Sequence, residues 1–436
     1  RSRLPSGLGA PGAAPRRHAH GARNGMTDVL IPRETLERLV RAEAGQFAER
    51  STQSLALQEV IAASTPLQAA ELAHAALPVR YAQRIRQIEE LPGWQESPEL
   101  ADLHRLYSKA FRDVRLVDPS GETAFAEVIK ANKVLMKGVV QQAAQGICNL
   151  QRTRGFSEGI VNKWLDAFLL SRIGTEMLTS QYLAVRQQAE EGARPGHVGI
   201  VDTACNPVDV CRKVIGRVQG LTRRHFARPG AEADVRIEVE TTGAGSAAAG
   251  EIRFPYVPHY LFYILTELLK NSARATVESV GGDFGRLRDL PITITLTACP
   301  SQVAIRIHDM AGGIPFSVNE HVWSYMYSTL GVDGKPGALA GHGVGLPLSR
   351  LYAKYLGGSL HLMSMPGLGT EAFLYLRGCE SKESLPREAT LDEAVDRAVK
   401  QADLNGDSMI SREEFRRWLR VHGGFGGARS FSSVAA

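Results

Sequence analysis

Glu267 and Asn271 lie four residues apart in a strongly apolar stretch with the pattern of an amphipathic helix. This spacing places a carboxylate and a carboxamide one turn apart on the same helix face. A carboxylate can accept the proton of a hydroxyl group, and an amide oxygen can bind a hard cation such as Mg²⁺. The opposite, apolar stripe consists of Leu261, Leu265, Leu268, Ser272 and Ala275. Many structural helices carry the same polar pair, so its meaning depends on residues further along the chain.

Asp309 ends a short segment in which apolar residues alternate with others, as in a strand with one buried face. Because successive side chains of a strand point to opposite faces, Asp309 shares a face with Val303, Ile305 and Ile307. A carboxylate there can accept a hydrogen bond from an exocyclic amine such as that of adenine. The glycines of Met310–Pro315 let the backbone approach a flat ligand closely. These residues favour a pocket for a nucleotide base.

A second glycine-rich segment, Gly341–Leu346, precedes a predicted helix at Pro347–Tyr355. Alternating glycines before a helix expose backbone N–H groups, and the helix dipole favours an anion at that end. One such loop alone is often only a turn. Gly369 and Thr370, before the last predicted strand, add a hydroxyl group that can meet a base or a bridging water. The combination of these segments favours a nucleotide site.

A helical N-terminal domain is predicted over residues 30–191. The chain has 436 residues, of which 44% are hydrophobic and 22% charged, so two or three soluble domains with substantial cores are expected. Long helical segments such as Pro66–Ala76 and Ala124–Gln145 are joined by short links, which is typical of an antiparallel bundle.

An α+β domain is predicted over residues 196–380, after the break at residues 192–196. Short alternating segments there are mixed with helices, which favours an antiparallel or mixed sheet. The predicted strands are Val198–Asp202, Val235–Glu240, Ile292–Thr297, Val303–His308 and Glu371–Leu376. This domain contains both glycine-rich segments and the Glu267 helix.

The net charge of +5 is concentrated at the start of the chain. Residues 1–27 contain five arginines and no acidic residue, a composition typical of an organellar transit peptide. A disordered basic leader, or translated upstream sequence with Met26 as the start, is the alternative. The remainder is neutral, which argues against a nucleic-acid surface spread over the body of the protein. No apolar run is long enough for a membrane span. The five cysteines have no metal-binding spacing and fit a reducing compartment.

A single EF-hand is predicted over residues 388–424, followed by a disordered tail at 425–436. The loop places candidate Ca²⁺ ligands at positions 1, 3, 5, 7 and 12 of a 12-residue EF-hand loop. Ser408 stands at position 6, where glycine normally allows a sharp turn, so a metal-free helical hairpin remains the alternative. The candidate ligands are Asp403, Asn405, Asp407, the backbone carbonyl of Met409, and Glu414.

The glycine-rich and acidic segments come in the order of the N, G1, G2 and G3 boxes of the GHKL (Bergerat) ATP-binding fold, which DNA gyrase, the Hsp90 chaperone and histidine kinases share. Four further segments resemble the mitochondrial kinases of pyruvate dehydrogenase and branched-chain 2-oxoacid dehydrogenase: Leu77–Arg80, Ser171–Gly174, Ser324–Thr329 and Leu348–Tyr355. The resemblance covers about residues 36–377. It implies an N-terminal four-helix bundle, a C-terminal GHKL α/β sandwich, and ATP-dependent phosphorylation of a serine of the E1α subunit.

The same resemblance implies roles for individual residues. Glu267 resembles the general base that accepts the serine proton, Asn271 the Mg²⁺ ligand and Asp309 the residue that binds adenine. ATP and Mg²⁺ are therefore the expected cofactors, and Ca²⁺ is expected at the EF-hand. The predicted ATP-binding residues are Glu267, Lys270, Asn271, Arg274, Asp309, Gly313, Ser328, Thr329, Gly341, His342, Gly343, Val344, Gly345, Leu346 and Thr370.

The resemblance further implies a homodimer that docks on a lipoyl domain of the E2 core in the mitochondrial matrix. Which complex it serves stays open at this point. Tyr263, one turn before Glu267, resembles the branched-chain kinases, whereas Ser324–Thr329 is closer to the pyruvate dehydrogenase kinases. Ala311 replaces the first glycine of the G1 box, a change that a negative φ would tolerate.

Two other functions compete with a serine kinase. A non-catalytic, calcium-responsive pseudokinase is motivated by Ala311 and the EF-hand, but it need not keep both Glu267 and Asn271. A histidine kinase would carry a phosphoacceptor histidine followed by an acidic residue in its helical domain, and Ser171–Tyr182 contains no histidine. The serine kinase is therefore the favoured interpretation.

Overall fold

The computed structural model describes residues 32–192, 194–226, 233–242, 252–299, 302–319, 321–327 and 343–377. The predicted leader, the EF-hand with its five candidate ligands, and the C-terminal tail lie outside these ranges. Within them, a helical N-terminal region is followed by a mixed α/β region, which confirms the predicted fold class at this level. In the described ranges, no helix combines the length and apolar character needed to cross a membrane.

The described helical region contains seven α-helices. They are α1 (Arg33–Ala48), α2 (Leu57–Ala62), α3 (Pro66–Glu89), α4 (Pro98–Leu116), α5 (Glu122–Leu135), α6 (Val139–Arg154) and α7 (Glu158–Glu191). The central helix α3 packs against α1, α4 and α7. Side-chain caps stabilise the N-termini of α3, α4 and α7. The hydroxyl groups of Thr65, Ser97 and Ser157 each accept a hydrogen bond from the backbone amide three residues later. This bond satisfies an N–H group of the first turn that would otherwise be unpaired.

Two helices differ from their predicted limits. The predicted helix Ala124–Gln145 is two helices, because Gly138 has a φ of +84°, a left-handed conformation that interrupts the helical path. The predicted helix Pro66–Ala76 continues through Pro78 to Glu89. Proline disfavours a helix interior, but buried apolar neighbours along α3 hold the second half in place.

The described α/β region contains eight strands and four α-helices. The strands are β1 (His197–Val198), β2 (Val201–Cys205), β3 (Ile237–Thr242), β4 (Phe254–Tyr256), β5 (Ile292–Cys299), β6 (Gln302–Asp309), β7 (Ser359–Met365) and β8 (Gly369–Arg377). The helices are α8 (Pro207–His225), α9 (Pro258–Ser279), α10 (Phe316–Asn319) and α11 (Gly345–Tyr355). The predicted strand Val198–Asp202 is a β1–β2 hairpin, because Gly199 turns the chain at a φ of +60°.

The main sheet has the order β3-β5-β6-β8-β7, with β3 and β5 parallel and the other neighbours antiparallel. The mixed sheet is therefore confirmed. Along β6, Val303, Ile305, Ile307 and Asp309 are buried and alternate with less buried residues, as the sequence predicted. Helix α9 packs against β6, and α11 packs against α9, β7 and the long helix α7. This arrangement brings the Glu267 helix, the end of β6 and the start of α11 together.

Candidate active site

Helix α9 positions the acidic residue that could act as a base. Pro258 stands in the first turn, where its fixed φ suits a helix start. The Nζ of Lys270 donates to both carboxylate oxygens of Glu267, at 3.0 Å from Oε1 and 3.2 Å from Oε2. The two side chains are mostly buried, with 16% of Glu267 and 12% of Lys270 exposed. A carboxylate that is held in place but still accessible can accept a proton from a bound hydroxyl group.

Asn271 and Arg274 lie on the same helix, further from its start. Asn271 is exposed one turn after Glu267, so its amide oxygen is accessible to a cation. The Nε of Arg274 donates to Glu278 at 2.7 Å, which directs the guanidinium along the helix. Glu267, Asn271 and Arg274 therefore lie on one helix at the predicted spacing, and Arg274 is hydrogen-bonded to Glu278. Binding of Mg²⁺ by Asn271 and of phosphate by Arg274 stay predictions.

The N-terminus of α11 lies directly against Glu267. A Cβ atom added to Gly345 would lie 2.5 Å from Glu267 Oε2, so this position has room only for glycine unless the carboxylate moves. Gly343, at a φ of +69°, packs its backbone against Met326, whose amide donates to the Gly343 carbonyl at 2.9 Å. The N-cap residue Val344 has no polar side chain to cap the helix. Pro347 has no N–H and the Leu348 amide donates to the Val344 carbonyl, so the amides of Gly345 and Leu346 are the first-turn donors that can serve an anion.

Asp309 is a buried carboxylate, 4% exposed, at the end of β6. The hydroxyl of Ser272 donates to Oδ2 at 2.7 Å, and the amide of Ala311 donates to Oδ1 at 3.2 Å. Burial raises the pKa of Asp309 above its ordinary value, while hydrogen bonds from Ser272 and from the Ala311 and Thr370 amides act in the opposite direction. The site thus holds a carboxylate able to accept hydrogen bonds from a buried ligand.

The glycine loop after β6 packs against the turn between β7 and β8. Gly313 has a φ of +73°, and a Cβ there would collide with the carbonyl of Met365. The amide of Ile314 donates to Ser364 Oγ at 2.7 Å, and this hydroxyl is 2.9 Å from Thr370 Oγ1. Ala311 is not among the described residues with a positive φ, so its methyl group is tolerated. The predicted residues Asp309, Gly313 and Thr370 therefore share one edge of the sheet.

Tyr263, one turn before Glu267, belongs to an aromatic cluster between α9 and α11. Its ring centroid lies 4.9 Å from that of Tyr352, which in turn lies 4.8 Å from Tyr260. Burial, and then the charge of Glu267, hold the pKa of Tyr263 well above its ordinary value. Tyr263 therefore stays protonated at neutral pH beside the carboxylate of Glu267.

The segment from His321 to Tyr327 docks on α7 of the helical region. Tyr325 OH donates to Asp166 Oδ1 at 2.6 Å, and its backbone amide donates to Asn162 Oδ1 at 3.3 Å. Near the start of α7, Ser324 and His321 lower the pKa of the Glu158 carboxyl by hydrogen bonding. The Met326 amide of this segment donates to the Gly343 carbonyl just before α11, so the two regions meet beside the site.

The described residues bring together Glu267, Lys270, Asn271, Asp309, Gly313, Gly343, Val344, Gly345, Leu346 and Thr370, with Arg274 further along α9. The predicted residues Ser328, Thr329, Gly341 and His342 lie outside the described ranges. Sequence reasoning missed Ser272, Ser364 and Tyr325 as parts of the site. The helical period predicts Ser272 in the apolar stripe of α9. It does face the sheet, but the group it meets there is the Asp309 carboxylate.

This arrangement defines an ATP-binding domain of the class that includes histidine kinases and DNA gyrase. Residues 256–378 match the family model described as "Histidine kinase-, DNA gyrase B-, and HSP90-like ATPase". Residues 49–202 match the model described as "Mitochondrial branched-chain alpha-ketoacid dehydrogenase kinase". Enzymes of this ATPase and kinase class use ATP with Mg²⁺.

Relatives extend the similarity over most of the chain. A mitochondrial "[Pyruvate dehydrogenase (acetyl-transferring)] kinase" of Arabidopsis thaliana is 34% identical over 73% of this chain and 87% of its own length. The corresponding kinase of Drosophila melanogaster is 32% identical, and isozyme 3 of Homo sapiens 33%, each over 71% of this chain and 78% of its own length. The chain therefore belongs to the family of mitochondrial 2-oxoacid dehydrogenase kinases and is a protein kinase of the pyruvate dehydrogenase kinase type.

Proposed function

We propose that this kinase phosphorylates a serine of the E1α subunit of the mitochondrial pyruvate dehydrogenase complex and thereby switches the complex off. The observation that carries the proposal is the position of Glu267, which is fixed by Lys270 and lies at the N-terminus of α11. The curated relatives reported above are named as pyruvate dehydrogenase kinases, which supports this choice of substrate.

The residues of the site fit ATP and Mg²⁺ by their chemistry. Asp309 offers a buried acceptor for the adenine amine, and the uncapped first turn of α11 offers amide donors to phosphate. Asn271 would supply an oxygen ligand for Mg²⁺, and the bound ion would neutralise charge on the phosphates. Glu267 accepts the proton of the substrate serine as the hydroxyl oxygen attacks the γ-phosphorus of ATP, and the bond to the bridging oxygen breaks so that ADP leaves. Positioning and charge stabilisation account for most of the catalysis of phosphoryl transfer.

The branched-chain complex is the second candidate substrate, because residues 49–202 match the branched-chain kinase model and Tyr263 stands one turn before Glu267. Incubation of the full chain with each purified complex and labelled ATP separates the two. We expect incorporation into the E1α of pyruvate dehydrogenase. Label only in the branched-chain E1α would reverse the assignment. ATP binding without label in either complex would favour the non-catalytic alternative.

The assembly of the protein is part of the same proposal and rests on the resemblance to these kinases. It comprises an N-terminal four-helix bundle over residues 30–191, a GHKL domain over 196–380, and a homodimer bound to a lipoyl domain of E2 in the mitochondrial matrix. Light scattering of the full chain, alone and with a lipoylated domain, measures both associations. A monomer that leaves the lipoylated domain unbound would contradict this assembly.

A calcium site at residues 403–414 is proposed from the sequence alone. Asp403, Asn405, Asp407 and Glu414 supply oxygen ligands at the positions that an EF-hand loop requires, and Met409 supplies a backbone carbonyl. Calorimetric titration of the full chain with Ca²⁺ should give binding heat that Glu414→Gln removes, because the bidentate ligand at position 12 is lost. Absence of heat from the wild-type chain would leave a metal-free helical hairpin.

A further inference from the structure

Ser272 makes the closest hydrogen bond given for the base-binding carboxylate. Its Oγ lies 2.7 Å from Asp309 Oδ2 and bridges helix α9 to the end of strand β6. Ser272 directly follows Asn271, but the two side chains point to different sides of α9: Asn271 is exposed, whereas Ser272 faces the sheet. The same short stretch of helix thus supplies a proposed metal ligand and a contact to the base pocket.

The protein donates to both oxygens of Asp309 and still leaves acceptor capacity for a ligand. Oδ2 accepts from Ser272, Oδ1 accepts from the amide of Ala311 at 3.2 Å, and the amide of Thr370 adds a third hydrogen bond. A carboxylate has about four lone-pair sites. At least one site therefore remains for an exocyclic amine. Its direction is set by the donors that already hold the carboxylate.

Base discrimination depends on that direction. The 6-amino group of adenine donates a hydrogen bond, whereas the 6-oxo group of hypoxanthine is an acceptor and is repelled by a carboxylate. The terminal torsion of an aspartate side chain is broad, so it has little preference of its own. The Ala311 amide is bonded to Oδ1 and therefore does not hold Oδ2, which accepts from Ser272. The hydroxyl of Ser272 supplies the restraint on Oδ2.

We propose that Ser272 is a positioning residue that sets the adenine specificity of this kinase by holding Oδ2 of Asp309 towards the base. The proposal rests on the ATP-dependent function proposed above and adds a determinant of nucleotide choice. Ser272 itself does not touch the reacting phosphate. Its contribution is therefore to nucleotide binding and discrimination, and not to the transfer step.

The test compares Ser272→Ala and Ser272→Thr in the full chain. Calorimetry measures the dissociation constants of ATP and inosine triphosphate, and kinetics give KM for ATP and kcat. Loss of a hydrogen bond to a charged group should raise the dissociation constant of ATP about tenfold and lower the preference for ATP over inosine triphosphate by a similar factor. The kcat at saturating ATP should change less than about twofold. Ser272→Thr keeps the hydroxyl and should restore most of the preference.

Ser279→Ala is the matched control, because Ser279 lies on the same helix as Ser272. Its hydroxyl donates to the Thr276 carbonyl at 2.8 Å, within α9 itself. It should bind both nucleotides as the wild-type chain does. Equal weakening of ATP and inosine triphosphate by Ser272→Ala, or no weakening, would overturn the role of Ser272 and leave the kinase assignment standing. Failure of the wild-type chain to bind ATP would instead overturn the proposed function itself.

Discussion

Tyr325 and Asp166 join the α/β region to the helical region through a hydrogen bond of 2.6 Å between the phenol oxygen and Oδ1. Burial and the charge of Asp166 hold the pKa of Tyr325 well above its ordinary value, so the phenol remains a donor at neutral pH. Tyr325 lies on the segment that leads to the predicted nucleotide contacts, and Asp166 lies on α7. The position of this segment is therefore coupled to the helical region.

Tyr325→Phe should destabilise the protein and weaken ATP binding together. A buried hydrogen bond to a charged acceptor contributes about 1.5–3 kcal/mol to stability. A double-mutant cycle of Tyr325→Phe and Asp166→Asn, followed by urea unfolding, should give a coupling energy of about 1–2 kcal/mol. The dissociation constant of ATP should rise a few-fold. Tyr327→Phe, an exposed position two residues on, is the matched control. A coupling energy near zero would show that the contact does not join the two regions energetically.

Glu267→Gln should abolish most phosphorylation while ATP still binds. Glutamine keeps the size of the side chain and an oxygen for Lys270, but it cannot accept the serine proton. A lost general base lowers the rate by about 10²–10⁴-fold. Transfer of label to E1α measures the rate, and calorimetry measures ATP affinity, which should stay within a few-fold. Glu190→Gln, an exposed partner of Arg186 in α7, is the control. Turnover near the wild-type level would remove Glu267 as the base.

Asn271→Ala should raise the Mg²⁺ concentration needed for activity. The exposed amide of Asn271 lies one turn after Glu267. Mg²⁺ usually keeps several water and phosphate ligands and binds few protein groups, so loss of one protein ligand should weaken its binding. Activity is measured as a function of free Mg²⁺ at fixed ATP, and the half-maximal concentration should rise about tenfold or more. An unchanged Mg²⁺ dependence would contradict the ligand assignment.

The sequence predicted those features of the site that depend on local secondary structure. The spacing of Glu267 and Asn271 follows from helix geometry, and the burial of Asp309 follows from alternation along β6. These features depend on a few neighbouring residues, so a single chain contains enough information to predict them.

Contacts between distant segments could not be predicted in this way. The helical period predicts that Ser272 belongs to the apolar stripe of α9 and faces the sheet. It does not show that Asp309 is the residue that Ser272 contacts. Tyr325 and Asp166 are 159 residues apart in the chain, and nothing local marks either as the partner of the other. Such pairs depend on how α9, α7 and the sheet pack, which is decided by the whole core.

Gly345→Ala should impair catalysis with little effect on stability. Gly345 is not among the described residues with positive φ, so alanine suits its backbone, but the added methyl would lie 2.5 Å from Glu267 Oε2. The carboxylate must move, and misplacement of a reacting group by about 1 Å can lower the rate about 10²-fold. The melting temperature and kcat are measured together. Gly216→Ala, in α8 with open space around its Cβ, is the control. Full activity of Gly345→Ala would show that Glu267 tolerates displacement.

Asp309→Asn should make the fold more stable at neutral pH while ATP binding is lost. Burial raises the pKa of Asp309 in the folded chain above the ordinary value of 3.8. As pH rises through this window, the unfolded chain releases the proton first, so the free energy of unfolding of the wild type falls.

Asparagine removes that pH-dependent loss. The stability advantage of Asp309→Asn should therefore grow as pH rises above about 4, and level off once pH exceeds the raised pKa of Asp309 in the folded chain. Urea unfolding at several pH values measures this difference in the free energy of unfolding. His308, whose charge lowers the pKa of Asp309, is present in both proteins. ATP affinity should fall at least about tenfold, because the amide no longer presents a charged acceptor to adenine. Asp234→Asn, at an exposed carboxylate, is the control. A stability difference of constant size at all pH values would show that Asp309 is not the destabilising buried acid.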